Sequence, residues 1–247
     1  MKISILIPTL DNLEYTKFLV DSIEKNTVVD HEVLIHQNTV DNNLGLPKAL
    51  NMLGRQATGD YICYLNDDMW VGPGWDEALL AAVNPDIYYQ YLTALMIEPQ
   101  YENACMNSPW DFGRTPKDFD AAGLLQKWKV DRKMHDVVSP YCPIFVTKAL
   151  WDHVGGYDES YFPCFGTDPD FAAKIYFAAA TDSFSPAPYE FRAVADCCVY
   201  HFQCITTDKI PDNAHHREKA KETFMRKWKM PWGALYNGIL HVGDRLS

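Results

Sequence analysis

Two adjacent carboxylates, Asp67 and Asp68, follow Asn66 at the end of an apolar run that closes with Leu65. Side by side they repel each other unless a cation lies between or beside them. A hard divalent ion, Mn2+ or Mg2+, is the natural partner, because such ions bind one or two carboxylates and take further oxygens from water and substrate phosphates. A solvated Asn66-Asp67-Asp68 turn is the alternative. The second candidate is Gly166-Thr167-Asp168-Pro169-Asp170-Phe171. Thr167 as N-cap with Asp170 three residues on makes a variant capping box, and Pro169 is tolerated in the first turn. That leaves Asp168 without a structural task, at a helix N-terminus where the dipole favours the ionised carboxylate that a general base needs. The third is His201, at the close of a strand-like run as Asp68 is. Imidazole binds manganese, although a histidine beside aromatics also serves as a hydrogen-bonded structural residue. His215 and His216 read as surface residues of a helix.

These residues need elements to position them, and the first hundred residues alternate strand and helix signals. Lys2 to Ile7 reads as a buried strand ended by Pro8, and Asp11 with Glu14 as a capping box for a helix carrying Tyr15, Phe18, Leu19 and Ile23. A strand from Glu32 to Ile35 follows, then a helix with Leu46, Leu50, Leu53 and Ala57 on one face, then a strand from Asp60 to Leu65. This spacing predicts an α/β fold with a mostly parallel, Rossmann-like sheet and right-handed crossovers. Ligands of such sheets bind beyond the carboxyl ends of the strands, where Asn66-Asp67-Asp68 falls. A helix from Trp75 to Val83 and an aromatic strand within 87–97 come next. From Glu98 to Pro140 the periodicity lapses, and a loop of that length is usually functional or mobile. The expectation is that it covers a site and that Tyr101, Trp110 or Trp128 offers an aromatic face to an acceptor. Beyond it we expect a regular stretch from Ile144 to Val154, a helix from Asp168 to Ala180, a strand from Arg192 to His201 and a C-terminal helix from Ala214 to Trp228.

The chain has 247 residues, of which 47% are hydrophobic and 22% charged, enough for a sizeable core and unlike a disordered segment. Lys and Arg number 22 against 33 Asp and Glu, and the net charge of −11 has the wrong sign for a protein that tracks phosphate backbones. Nucleic-acid binding is therefore not expected. No run approaches the roughly 20 apolar residues of a membrane helix, so no transmembrane segment is expected. Seven scattered cysteines without a C-x-x-C pair indicate neither a disulfide framework nor a zinc site. Together these point to a soluble, cytoplasmic chain.

The ordered set of segments resembles the inverting glycosyltransferases of family 2, which have the GT-A fold. The matching pieces are ISILIPTLDN, NNLGLPKALNMLGRQATGDYICYLNDDMWVGPGW, PIFVTKALWDHVGGYDE, FGTDPDF, VYHFQC and FMRKWKMPW. The resemblance implies a single GT-A domain in which residues 1–97 form the nucleotide-sugar half and residues 98–247 the acceptor-side half. It implies a metal-dependent, hexosyltransferase-like enzyme that moves a sugar from a nucleotide-sugar donor, a UDP-sugar in the first instance, to a hydroxyl of a carbohydrate or glycan acceptor with inversion. Asn66-Asp67-Asp68 then stands for the D-x-D motif, with Asp68 the metal ligand and Asp67 near the ribose or donor sugar. Pro8, Thr9 and Asp11 fall where the family lines the nucleotide pocket. His201 matches a histidine that completes the metal site in some members, and Asp168 matches the general base. Two positions depart from the pattern: His36-Gln37 replaces the acidic residue that contacts the nucleotide base, and Thr167-Asp168 replaces the Glu-Asp pair.

Two other functions use similar parts. A non-catalytic carbohydrate or nucleotide-sugar binding protein would not need Asp68, Asp168 and His201 together. A metal-dependent nucleotidyltransferase would usually carry a Gly-rich, Lys- or Arg-bearing phosphate loop, whereas Ile7 to Asn12 contains none of these residues.

Overall fold

The computed structural model describes residues 1–182 and 187–246. Its centre is a six-stranded sheet in the order β2-β1-β3-β6-β5-β7. The strands are β1 (Ile3–Leu10), β2 (His31–Asn38), β3 (Tyr61–Tyr64), β5 (Tyr89–Ala94), β6 (Ile144–Thr147) and β7 (Tyr189–Val194). β1 pairs in parallel with β2 and β3, and β5 with β7, while β6 runs antiparallel to both β3 and β5. The mostly parallel sheet expected from the sequence is therefore present, with β6 as its one reversed strand. Five strands point their carboxyl ends to one edge, which brings the segments after β1, β3 and β5 together.

Every residue of β1 is buried, as befits a central strand covered on both faces. Pro8 does not end it. Leu6 turns its carbonyl to Leu65, and Pro8, two residues on, faces the same way beyond the end of β3, so its missing N–H forfeits no ladder bond. Helices α1 (Leu13–Asn26), α2 (Leu46–Gln56), α3 (Trp75–Ala81), α5 (Lys148–His153) and α6 (Thr167–Ala180) flank the sheet. The expected capping box at Asp11 is not formed. Asn12 is the N-cap of α1 without a side-chain bond, and Asp11, at φ 46, instead accepts the Val40 N–H at 2.7 Å.

The segment from 98 to 140 is more ordered than its lapse of periodicity suggests. It holds α4 (Ala121–Asp131), started by an Asp120 side chain that accepts the Gly123 N–H at 2.9 Å. The expected single strand from Arg192 to His201 is two strands. β7 ends at Val194, and β8 (Val199–His201) leaves the main sheet to pair antiparallel with β4 (Met69–Val71). Trp70, Ile97, Leu124, Tyr200 and Phe202 form a second core between this two-stranded sheet and the 98–140 segment. A 3-10 turn (Thr207–Lys209), α7 (Asn213–Trp228) and a π-helical turn (Ala234–Leu240) complete the chain. Among the described residues, no helix is long and apolar enough to cross a membrane.

Candidate active site

A cavity of about 390 Å³ opens at the carboxyl edge of the sheet. Its walls include Pro8 and Thr9 from the end of β1, Asn66, Asp67 and Asp68 from the end of β3, Asp168 from the start of α6, and His201 from the end of β8. The structure thus gathers seven of the ten sequence-derived site residues. The other three lie outside the cavity wall. Asp11 is exposed and bonded to Val40, while His36 and Gln37 lie within the edge strand β2 rather than after it. Asn38, at the end of that strand, lines the cavity.

Asp67 and Asp68 are both buried. Asp67 accepts the Thr206 hydroxyl at 2.6 Å and the Leu10 N–H at 3.3 Å. Burial and the neighbouring Asp68 still raise its pKa above the ordinary carboxylate range. Asp68 accepts the Ile205 N–H at 3.3 Å and lies 3.2 Å, Oδ1 to Nε2, from His201. Two consecutive left-handed residues, Gln203 (φ 70) and Cys204 (φ 65), reverse the chain just after β8. That strained turn brings Ile205 and Thr206 back to the carboxylate pair, as strained backbone at a site often does.

His201 is held from both sides. Its Nδ1 lies 2.6 Å from Glu98 Oε1, and Glu98 Oε2 accepts the Gln203 amide at 3.0 Å. Burial pulls the imidazole pKa down, but Asp68 and then Glu98 outweigh it and lift it to about 10. Asn66, which accepts the Tyr64 hydroxyl, packs its amide 3.4 Å from Nε2.

The donor set suits a six-coordinate hard cation. Cis ligands of an octahedral ion at about 2.0–2.1 Å are about 3 Å apart, so an ion could take both Asp68 Oδ1 and His201 Nε2, which lie 3.2 Å apart, by displacing the proton that now links them. A carboxylate on the far ring nitrogen, here Glu98, is the usual support of a metal-binding histidine. Among the described residues no three His, Cys, Asp or Glu side chains converge as a complete metal cage, so water and ligand oxygens would supply the rest.

Asp168 reaches the cavity by a route other than the expected cap. Gly166, at φ 78, is the N-cap of α6, and a Cβ there would stand 2.9 Å from the Tyr161 ring. Glycine is thus required by both backbone and space. Thr167 donates to the Cys164 carbonyl at 2.7 Å instead of capping the helix. Asp170 is buried and accepts Lys227 Nζ at 2.9 Å and the Trp228 indole N–H at 2.8 Å, fastening α7 to α6. Asp168 is left facing the cavity, where burial raises its pKa to about 6 and the adjacent Thr167 offsets part of the rise.

Glu98, Gln203 and Thr206 are site residues that the sequence reading missed. Glu98 had one visible signal, a lone acid at the end of the apolar run LTALMI. Tyr101, Trp110 and Trp128 do not line the cavity. Trp110 and Trp128 pack against the second core, with Lys127 over one ring and Arg132 over the other, and Tyr101 stands exposed.

The model of the family "Glycosyl transferase family 2" matches residues 36–110, which include the Asp67-Asp68 pair and Glu98. No curated protein matches the chain significantly in sequence. Among solved structures, S. aureus TarS 1-349 aligns at TM-score 0.54 with 13% identity, over 96% of this chain and 74% of that one. The same protein in complex with UDP-GlcNAc aligns at 0.52 with 13% identity, over 96% and 75%. The mannosyltransferase PcManGT from Pyrobaculum calidifontis, in complex with GDP-Man and Mn2+, aligns at 0.54 with 14% identity, over 97% and 68%. The mixed α/β architecture, a mostly parallel sheet flanked by helices, is the GT-A fold that these structures share.

Proposed function

We propose that the protein is a glycosyltransferase that moves a sugar from a nucleotide-sugar donor to an acceptor hydroxyl with inversion at the anomeric carbon. The observation that carries this reading is the placement of Asp68 with His201, and of Asp168, on the walls of one cavity. The family-model match over residues 36–110 and the shared fold with a GDP-mannose-bound, Mn2+-bound mannosyltransferase support it.

Asp68 and His201 would hold Mn2+ or Mg2+, which when bound offsets the charge of a diphosphate leaving group. Glu98 keeps the His201 ring oriented so that Nε2 faces Asp68. Asp67, anchored by Thr206 and Leu10, would meet the ribose or donor sugar, and Pro8, Thr9 and Asn38, which line the same cavity, would form the nucleoside end. Asp168 takes the proton of the acceptor hydroxyl. The acceptor oxygen forms a bond to the anomeric carbon as the bond from that carbon to the diphosphate oxygen breaks, and the nucleoside diphosphate departs with the electron pair. A base with a pKa near 6 is ionised at neutral pH yet still a competent proton acceptor.

The test is incubation with UDP- and GDP-sugars and Mn2+, reading the nucleoside diphosphate released. UDP-sugars come first, and GDP-sugars cover the possibility raised by the replacement of an acidic base contact with His36-Gln37. Release with one donor, lost with chelator and in Asp68→Ala, is the expected result. Nucleotide binding without turnover of any donor would instead favour a binding protein on the same scaffold.

A further inference from the structure

A second cavity of about 360 Å³ shares Phe165, Gly166, Asp168, Pro169 and Arg217 with the first, and otherwise lies on the C-terminal side. Its remaining wall is Tyr141, Lys221, Trp232 and Tyr236. Asp168 therefore stands on the partition between two chambers. From this geometry we infer that the second chamber is the acceptor subsite, and that it takes a sugar bearing an anionic substituent, a phosphate or a carboxylate. The inference rests on the transferase reading and adds the chemical class of the acceptor.

Two features carry it. First, the chamber has the parts of a carbohydrate site. Four aromatic rings border it, Tyr141 and Tyr236 meeting edge to face at 5.8 Å. Among the described residues, the hydroxyls of Tyr141 and Tyr236 and the Trp232 indole N–H have no hydrogen-bond partner, although all three belong to wall residues. Apolar faces beside unused polar edges match a sugar, which has C–H faces and equatorial hydroxyls.

Second, its charge runs against that of the chain. The protein carries −11, yet this wall has two cations, Arg217 and Lys221, against the single carboxylate Asp168. Arg217 lies over the Phe165 ring at 4.3 Å and bonds Asn213, with no carboxylate partner among the described residues. Among the described residues, Lys221 pairs only with the exposed Glu218 on its own helix. The nearby Lys227 is by contrast committed to Asp158 and Asp170. A guanidinium without a carboxylate partner, as Arg217 is among the described residues, recognises an anion by direct and bidentate pairing, and the exposed Lys221–Glu218 pair is weak enough to yield to one.

The test is calorimetry on the full chain with UDP and Mn2+ present, using three probes: p-nitrophenyl β-glucoside, its 6-phosphate, and p-nitrophenyl β-glucuronide. The charged probes are expected to bind about 3–10-fold more tightly than the glucoside, as two partly screened ion pairs provide, with the preference falling as salt rises. Arg217→Gln and Lys221→Gln should each reduce that preference, read as the ratio of charged-probe to glucoside affinity within the same variant, and Trp232→Ala should weaken all three. Equal affinity for the three probes, no binding of any at millimolar concentration, or a preference that survives both glutamine substitutions together would overturn the inference. So would an Arg217→Gln loss that falls on UDP and spares the glucuronide, since it returns Arg217 to the donor chamber. Failure of the wild type to bind either UDP or GDP overturns the transferase reading itself, and is measured separately on the same sample.

Discussion

Asp168→Asn and Asp170→Asn each remove one carboxylate charge from the same turn of α6, yet the structure assigns them opposite consequences. Asp170 is buried and bonded to Lys227 and Trp228, so its loss acts on folding. One charge-assisted hydrogen bond is about 1.5–3 kcal/mol, and the weakened indole bond adds about 1 kcal/mol. Lys227 keeps Asp158 as a partner, which holds the total to about 2–4 kcal/mol. In a chain of this length that lowers Tm by about 4–16 °C.

Asp168 has the reverse balance. Its folded pKa, about 6, lies above the ordinary 3.8, so the fold disfavours its ionised form. The sign follows from linkage: no penalty applies below the ordinary value, and the penalty grows as pH rises from there through about 6. At about 1.36 kcal/mol per unit the bound is about 3 kcal/mol, which the open side of the cavity reduces to about 1 kcal/mol. Asp168→Asn should therefore be as stable as the wild type at neutral pH, or slightly more so, while transfer falls by about 10²–10⁴. Wild-type transfer should rise through pH about 6 and level above it, and the residual rate of the variant should lack that limb. Thermal melts and initial rates on the three proteins decide the matter. Wild-type transfer in Asp168→Asn would refute the base assignment, and lost transfer with an unchanged melt in Asp170→Asn would move the base two residues along.

Glu98→Gln should reduce Mn2+ affinity by about 10–100-fold, the usual effect of removing the carboxylate behind a metal-binding histidine; calorimetry with the ion alone reads it, and unchanged affinity would exclude that supporting role. Glu32 links the start of β1 to the loop before β3. Burial works against its ionised form, but bonds from Ser4 and Thr58 prevail and hold its pKa near 2. Its stabilisation is thus complete above its ordinary pKa and is lost as pH falls through about 2. Glu32→Gln should cost about 1–3 kcal/mol in urea melts at neutral pH, and less as the pH is lowered, whereas a pH-independent cost would contradict the pairing.

What could be read in advance was what is local in sequence. Alternating apolar runs predict the strands and helices of the first hundred residues, and the rule that ligands bind at strand carboxyl ends directed attention to Asn66-Asp67-Asp68. His201 was legible for the same reason, as a polar residue closing an apolar strand. The failures occur where a short local rule met a long-range contact. Thr167 and Asp170 have the spacing of a capping box, but Lys227 and Trp228, more than fifty residues later, take the Asp170 carboxylate. Asp11 and Glu14 have it too, and Val40 takes Asp11. In both cases a tertiary hydrogen bond displaced the local alternative, and a glycine or an uncapped Asn12 began the helix instead.

The same reasoning explains why the aromatic residues of the 98–140 segment misled. Aromatics in an aperiodic stretch suggest a sugar platform, but here Trp110, Phe119 and Trp128 cover β4 and β8, whose departure from the main sheet leaves a face that must be buried. Without that cover, β8 would be a three-residue strand in a two-stranded sheet, too small to hold His201 against Asp68. Tyr200 makes the connection explicit: its hydroxyl donates to the Gly113 carbonyl at 2.8 Å and accepts the Phe112 N–H at 3.2 Å, one residue before the imidazole. The segment thus serves the site by steadying the strand that ends in it. The aromatic wall beside Asp168 is supplied by Trp232, just before the C-terminal π-helical turn, and by Tyr236 within that turn, whose period no pattern in the sequence marks.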